Sequence, residues 1–172
     1  MPKALLYDID SLDLTAVQIA EEEIRETNPQ RFEFEQLDAV VYFSPDEEIA
    51  VGARFLEEHE FWTRGHMPGR PVFPGVLMLE AAAQLCSFYT SRVADTENVF
   101  GFGGADNVRF RRMLKPGDTL HLLAKPESIS ARRSLFRTQG VVEGRLAFEA
   151  SILGIALPPA VEETKNGGEA GI

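Results

Sequence analysis

The spacing of apolar and polar residues changes character several times along this chain, and each change marks a different kind of element. Residues 1–14 are weakly patterned and acidic. Residues 15–26 place Val17, Ala20 and Ile24 on one helical stripe behind Thr15 as N-cap, which predicts a short helix ending before Asn28-Pro29. Residues 37–43 and 48–56 have strand-like composition and are parted by the turn Ser44-Pro45-Asp46. A loop rich in Pro and Gly follows over 65–75. The apolar run 76–93 is too long for a strand and has no wholly polar face, so it predicts a largely buried central helix. From residue 98 the pattern is again that of strands, over 98–103, 107–113, 118–129, 132–142 and 145–156. Lys115-Pro116-Gly117-Asp118 and Glu143-Gly144 mark two of the turns. Pro158-Pro159 stops the last strand, and the composition of 158–172 predicts a disordered tail. One buried helix followed by antiparallel strands makes an α+β layer.

Composition narrows the class. The 172 residues are 44% hydrophobic and 26% charged, as expected of one soluble globular domain. No apolar run reaches the ~18 residues of a membrane span, and the N-terminus lacks the pattern of a secretory signal. Cys86 is the only cysteine and falls inside the apolar helix. It reads as a buried, inert thiol in a protein of the reducing cytoplasm. The net charge of −10 is concentrated at one end: residues 1–48 carry 13 acids and 3 bases, whereas residues 49–157 carry 11 acids and 13 bases. With no broad basic field, nucleic acid is not an expected partner. His59, His66 and His121 are too scattered for a metal site, and His59 and His121 read as structural or surface residues.

The candidate chemistry lies in Gly65-His66-Met67-Pro68-Gly69-Arg70-Pro71 and the following Pro74-Gly75-Val76-Leu77. A titratable imidazole sits in a loop stiffened by Pro68, Pro71 and Pro74, and Glu80 follows on the first turns of the predicted helix. These are a base and an acid around a rigid connection. The start of the helix adds free N–H groups at Gly75 and Val76, where negative charge is favoured, and glycine permits close approach of a ligand. Gln84 lies one turn beyond Glu80 on the same face and is placed to orient it. Arg109, Arg111, Arg112 and Lys115 are the densest basic cluster and a candidate docking patch.

This stretch, with Glu80-Ala81 and Ala83-Gln84, closely resembles the 3-hydroxyacyl-[acyl-carrier-protein] dehydratase family. Phe102, Gly104, Asp106, Arg109-Phe110 and Pro116-Gly117-Asp118 match later landmarks of that family, and Pro29, Arg31, Phe34 and Asp38 match earlier ones. The resemblance covers residues 29–157. It implies a hotdog fold, in which a long central helix is wrapped by a curved antiparallel sheet, with residues 1–28 as an acidic N-terminal extension. It also implies dehydration of (3R)-3-hydroxyacyl-[acyl-carrier-protein] to the trans-2-enoyl form, with His66 as base, Glu80 as acid and the Gly75 N–H as oxyanion donor. No cofactor is expected beyond the phosphopantetheine arm of the acyl carrier protein. A homodimer is expected to pair His66 of one subunit with Glu80 of the other, in assemblies up to trimers of dimers. Glu80, where isomerising relatives show Asp, fits dehydration without double-bond migration. The chain departs from the family at Gln30, Glu33, Glu35 and Gln36, where His, Pro and apolar residues are usual, and at Phe100-Gly101, which replace an aromatic pair. Two rival readings are a thioesterase of the same fold and a non-catalytic acyl- or carrier-binding protein.

Overall fold

The computed structural model describes residues 4–96 and 98–157, so the predicted tail lies outside the described residues. Its strands are β1 (Ile19–Ala20), β2 (Ala39–Ser44), β3 (Ile49–Phe55), β4 (Val99–Phe110), β5 (Thr119–Ile129), β6 (Arg133–Val142) and β7 (Arg145–Leu157). Its helices are α1 (Glu21–Arg25) and α2 (Gly75–Val93). All strand pairs are antiparallel, in the order β1-β2-β3-β5-β6-β7-β4. This is the hotdog arrangement, with α2 lying across the curved sheet.

Pro74 starts α2 at φ −61°, and its carbonyl accepts the N–H groups of Leu77 and Met78. Residues around most of the helix circumference are buried, among them Met78, Ala81, Ala82, Leu85, Phe88 and Tyr89, which explains the missing polar face in the sequence. Edge-to-face contacts of Phe43 with Phe88 and Tyr89, and of Tyr89 with Phe136, tie the end of α2 to the sheet. Gly52 marks where β3 passes over the helix: a Cβ there would come within 2.6 Å of Leu37 and 3.2 Å of Leu85.

Every residue of β3 but the last is buried, because the sheet is covered on both faces. The outer cover is the N-terminal segment. Ile9 is buried against Val41, Ile49, Val51, Leu123 and Val141, with Leu5, Leu6, Leu12 and Leu14 packed around it. The Leu6 N–H donates to Gln139 Oε1 at 2.7 Å, and the hydroxyls of Tyr42 and Tyr7 both donate to Glu47. Those two donors hold the Glu47 carboxyl below its ordinary value.

Two predicted elements differ. The helix expected over 15–26 is helical only from Glu21 to Arg25. Ile19 and Ala20 instead pair with Val40 and Ala39, and the Thr15 hydroxyl bonds Asp13 rather than capping a helix. Pairing with an open sheet edge satisfies more backbone groups than one extra exposed helical turn would. The strands expected over 98–103 and 107–113 are one strand, β4, paired to β7 with register shifts at Phe102/Gly104 and Asp106/Arg109. The turn-like Gly and Asn residues mark bulges, with Asn107 at φ 55°.

Candidate active site

His66 is held from three directions. Its N–H donates to Trp62 O at 2.8 Å, its carbonyl accepts the Val72 N–H at 2.8 Å, and its Nδ1 lies 2.6 Å from Val72 O. A carbonyl only accepts, so Nδ1 carries the hydrogen, and in the neutral ring Nε2 keeps its lone pair. Trp62 is itself buried, packed edge-to-face on Phe73 and donating from Nε1 to Glu60. The loop that carries the imidazole is therefore anchored in the core, while the ring is exposed.

Glu80 is half-buried on the second turn of α2. Its Oε1 accepts Gln84 Nε2–H at 2.7 Å, the bond that the one-turn spacing predicted. Gln84 is buried and uses both ends of its amide. Nε2 also donates to Phe34 O at 2.6 Å, and Oε1 accepts the Gln36 N–H at 2.9 Å. Asn28 completes the junction by donating to the Gln84 backbone carbonyl at 2.9 Å. The segment 28–36 thus holds the amide that holds the carboxylate. We expect Gln84→Met to lower turnover about tenfold and to cost about 1–3 kcal/mol in urea unfolding, because the Gln36 N–H loses its acceptor. Unchanged turnover would mean that this amide does not position Glu80.

Glu80 borders a narrow pocket of ≈ 50 Å³ with Gln30, Cys86, Phe100, Phe102, Ile152 and Leu153 on its walls. Burial pushes the Cys86 thiol far up, which keeps it protonated and inert. His66 does not border this pocket, and no hydrogen bond joins it to Glu80 among the described residues. The two residues adjacent in the motif occupy separate places within one chain.

At the start of α2 the N–H groups of Gly75 and Val76 meet no acceptor among the described residues, and Val76 is 71% exposed. The absent Cβ of Gly75 has a structural use besides ligand approach. The Phe110 ring at the end of β4 lies where that atom would be, 2.9 Å away.

The basic cluster does not form one patch. Arg109 and Arg111 face a groove of ≈ 620 Å³ bordered by Ala4–Leu6 and by Arg137, and Arg111 is ion-paired to the buried Glu149. Arg112 and Lys115 face another groove of ≈ 420 Å³, beside Arg70, Pro71 and Val72 of the His66 loop. Residues close in sequence thus part to different surfaces where the chain leaves β4.

Arg54 is a residue that the sequence did not mark. Its buried guanidinium donates to Gln36 Oε1 at 3.3 Å and to Asp38 at 3.1 Å, and it pairs with Glu60. One chain of contacts runs from Arg54 through Glu60 and Trp62 to His66, and another through Gln36 and Gln84 to Glu80. One signal was present: Gln36, among the polar departures of segment 30–36, is one of its partners.

A curved sheet wrapped on one central helix, with a proline-stiffened histidine loop entering that helix and a glutamate on its second turn, defines the hotdog-fold dehydratase class. A FabA-like domain model matches residues 28–151. The 3-hydroxyacyl-[acyl-carrier-protein] dehydratase FabZ of Desulfotalea psychrophila is 35% identical over 130 residues, covering 73% of this chain and 85% of the relative. The enzyme of that name from Pectobacterium atrosepticum is 36% identical over 137 residues, covering 77% and 89%. Among solved structures, the dehydratase heterocomplex ApeI:P from Xenorhabdus doucetiae shares the fold at TM-score 0.67 and 13% identity, over 79% of this chain and 91% of that one. The chain belongs to the 3-hydroxyacyl-[acyl-carrier-protein] dehydratase family of hydro-lyases.

Proposed function

We propose that the protein removes water from (3R)-3-hydroxyacyl thioesters carried on acyl carrier protein, giving the trans-2-enoyl thioester. The observation that carries this reading is the state of the two side chains. His66 is fixed with Nε2 free to take a proton, and Glu80 is fixed by Gln84 at a narrow pocket walled by Phe100, Phe102, Ile152 and Leu153 together with Gln30, Ser87 and Ser134. His66 Nε2 takes the proton from C2, the C3–O bond breaks as Glu80 protonates the departing hydroxyl, and the electron pair forms the C2–C3 double bond. The Gly75 N–H, on the positive end of α2, stabilises the charge that gathers on the thioester oxygen. Loss of water moves no net electrons, so the reaction calls for an acid and a base and needs no cofactor. The phosphopantetheine arm of the carrier would deliver the substrate.

His66 lies outside the Glu80 pocket, which supports a homodimer in which each site takes His66 from one subunit and Glu80 from the other. The open outer edge of β4 and the 52% exposed Phe102 suit such an interface. Residues 29–157 would form the catalytic domain, in a cytoplasmic protein that assembles as dimers or trimers of dimers. A coupled assay on a 3-hydroxyacyl thioester tests the reading by following enoyl product and free thiol separately. Enoyl product is expected; thiol release alone would make the protein a thioesterase, and binding without either product would make it a carrier-binding protein.

The two grooves separate the docking residues. We expect charge reversal at Arg112 and Lys115 to lower kcat/KM about tenfold for carrier-bound substrate at low salt, and to leave a short pantetheine thioester unaffected. Reversal at Arg111 should impair both, because it sets a negative charge against the buried Glu149. Equal losses on both substrates with the Arg112 and Lys115 variants would remove them from carrier docking.

A further inference from the structure

We infer that Gln30 reads the substrate's 3-hydroxyl, its side-chain carbonyl accepting the hydrogen of the hydroxyl that Glu80 expels. This rests on the dehydratase reading and adds to it a residue that sets specificity. Gln30 Oε1 is enclosed by protein and meets no donor among the described residues. A buried carbonyl left unpaired costs stability, so its retention calls for a partner that arrives. The residue is not a loose surface amide. Asn28 beside it is bound to the Gln84 carbonyl, and Arg31 donates to the carbonyls of Asn28 at 2.8 Å and Gln30 at 2.5 Å.

Its place matters more than its burial. Gln30 and Glu80 border the same ≈ 50 Å³ pocket, which has room for only a few water-sized groups, and a turn of the Gln30 side chain would bring its enclosed oxygen to that space. Phe100, Phe102, Ile152 and Leu153 offer nothing polar there from their side chains. The Gln84 amide is already engaged at both ends. Ser87 and Ser134 also border the pocket, but their hydroxyls turn to donate or accept, whereas an amide oxygen only accepts. As the C3–O bond breaks, the departing oxygen takes the Glu80 proton on a lone pair. The hydrogen it already carries stays on the water that leaves, and Gln30 Oε1 holds it.

The hydroxyl is present in the 3-hydroxyacyl substrate and in the transition state, and absent from the enoyl product. Loss of the acceptor therefore has an unusual kinetic form. Gln30→Met should raise KM for the 3-hydroxyacyl thioester about fivefold with kcat unchanged. In the hydration direction it should leave KM for the enoyl thioester unchanged and lower kcat by the same factor, as the fixed equilibrium constant demands. Gln30→His, which keeps a ring nitrogen acceptor, should restore both. Gln30→Ala gives the same readout if the Met variant melts early. Equal changes in both KM values indicate a structural role and overturn the inference. No change in either direction also overturns it, and would fit a water shared by Gln30 and the equally unpartnered Asn28 Oδ1. Wild-type protein that forms no enoyl product sinks the dehydratase reading and this one with it; an active wild type with indifferent Gln30 variants sinks this one alone.

Discussion

His66→Ala and Glu80→Gln are each expected to lower enoyl formation by about 10²–10⁴-fold while leaving the fold intact. Each variant removes one proton-transfer group and little packing, since the imidazole is exposed and Gln keeps the shape of Glu at position 80. Circular dichroism and melting should match the wild type. The two inactive chains then make a sharper test when mixed. If each site joins His66 of one subunit to Glu80 of the other, a mixed dimer contains one site with both groups intact and one with neither. Random mixing should restore about a quarter of wild-type activity per subunit, because half of the dimers are mixed and each has one good site. If both groups of a site come from one chain, every site in the mixture lacks one of them and activity stays at the level of the single variants. Wild-type activity in either variant alone would remove that residue from the mechanism.

Arg54→Met is expected to be the most destabilising of the substitutions named here, by about 3–5 kcal/mol in urea unfolding. That corresponds to a melting midpoint lower by on the order of 10 °C for a chain of this size. The guanidinium side chain is 9% exposed and balances Asp38 and Glu60 at once, so its removal leaves buried negative charge without a counterion. The penalty should also depend on pH, with a definite sign. Burial pushes the Asp38 carboxyl up, and Arg54 opposes that shift. An acid whose folded value lies above its unfolded one binds more protons when folded, so stability falls as pH rises through the interval between the two values. Removing Arg54 widens the interval upward from the unfolded value of about 3.9. The Arg54→Met penalty should therefore be smaller at pH 5 than at pH 7, and Asp38→Asn should relieve part of it. A penalty that does not vary with pH would show that packing of the aliphatic stem, and not charge balance, is what Arg54 supplies. Turnover should fall too, because the contacts that position His66 and Glu80 meet at this side chain.

Much of the architecture could be read from local pattern. The apolar run 76–93 announced a buried helix because no face of it was polar, and α2 occupies Gly75–Val93. The strand-like composition of 48–56 matched β3, but nothing in it said that both faces would be buried or what the outer cover would be. The spacing of Glu80 and Gln84 predicted their hydrogen bond, since helical geometry alone brings residues four apart together. Failures came where a partner distant in sequence overrode local preference. Thr15 could have capped a helix, but a neighbouring strand edge claimed Ile19 and Ala20 instead. Residues 104–106 resembled a break between strands, but they pair with β7 inside one strand that is bulged on either side of them.

The candidate site divides in the same way. Residue types and spacing along 65–80 placed an imidazole, a carboxyl group and a helix start with free N–H groups in one short stretch, because these depend on neighbours within a few residues. Tertiary structure alone decided that His66 offers Nε2, since that follows from a hydrogen bond to Val72 set by the folded loop. It also decided that Glu80 hangs from Gln84, Gln36 and Arg54, and that Gln30 shares its pocket, because those contacts cross about 18 to 50 positions of sequence. Sequence spacing specifies chemistry along one element. The surroundings that orient a proton donor, leave a carbonyl unpaired or part four basic residues between two grooves exist only once the sheet has closed around the helix.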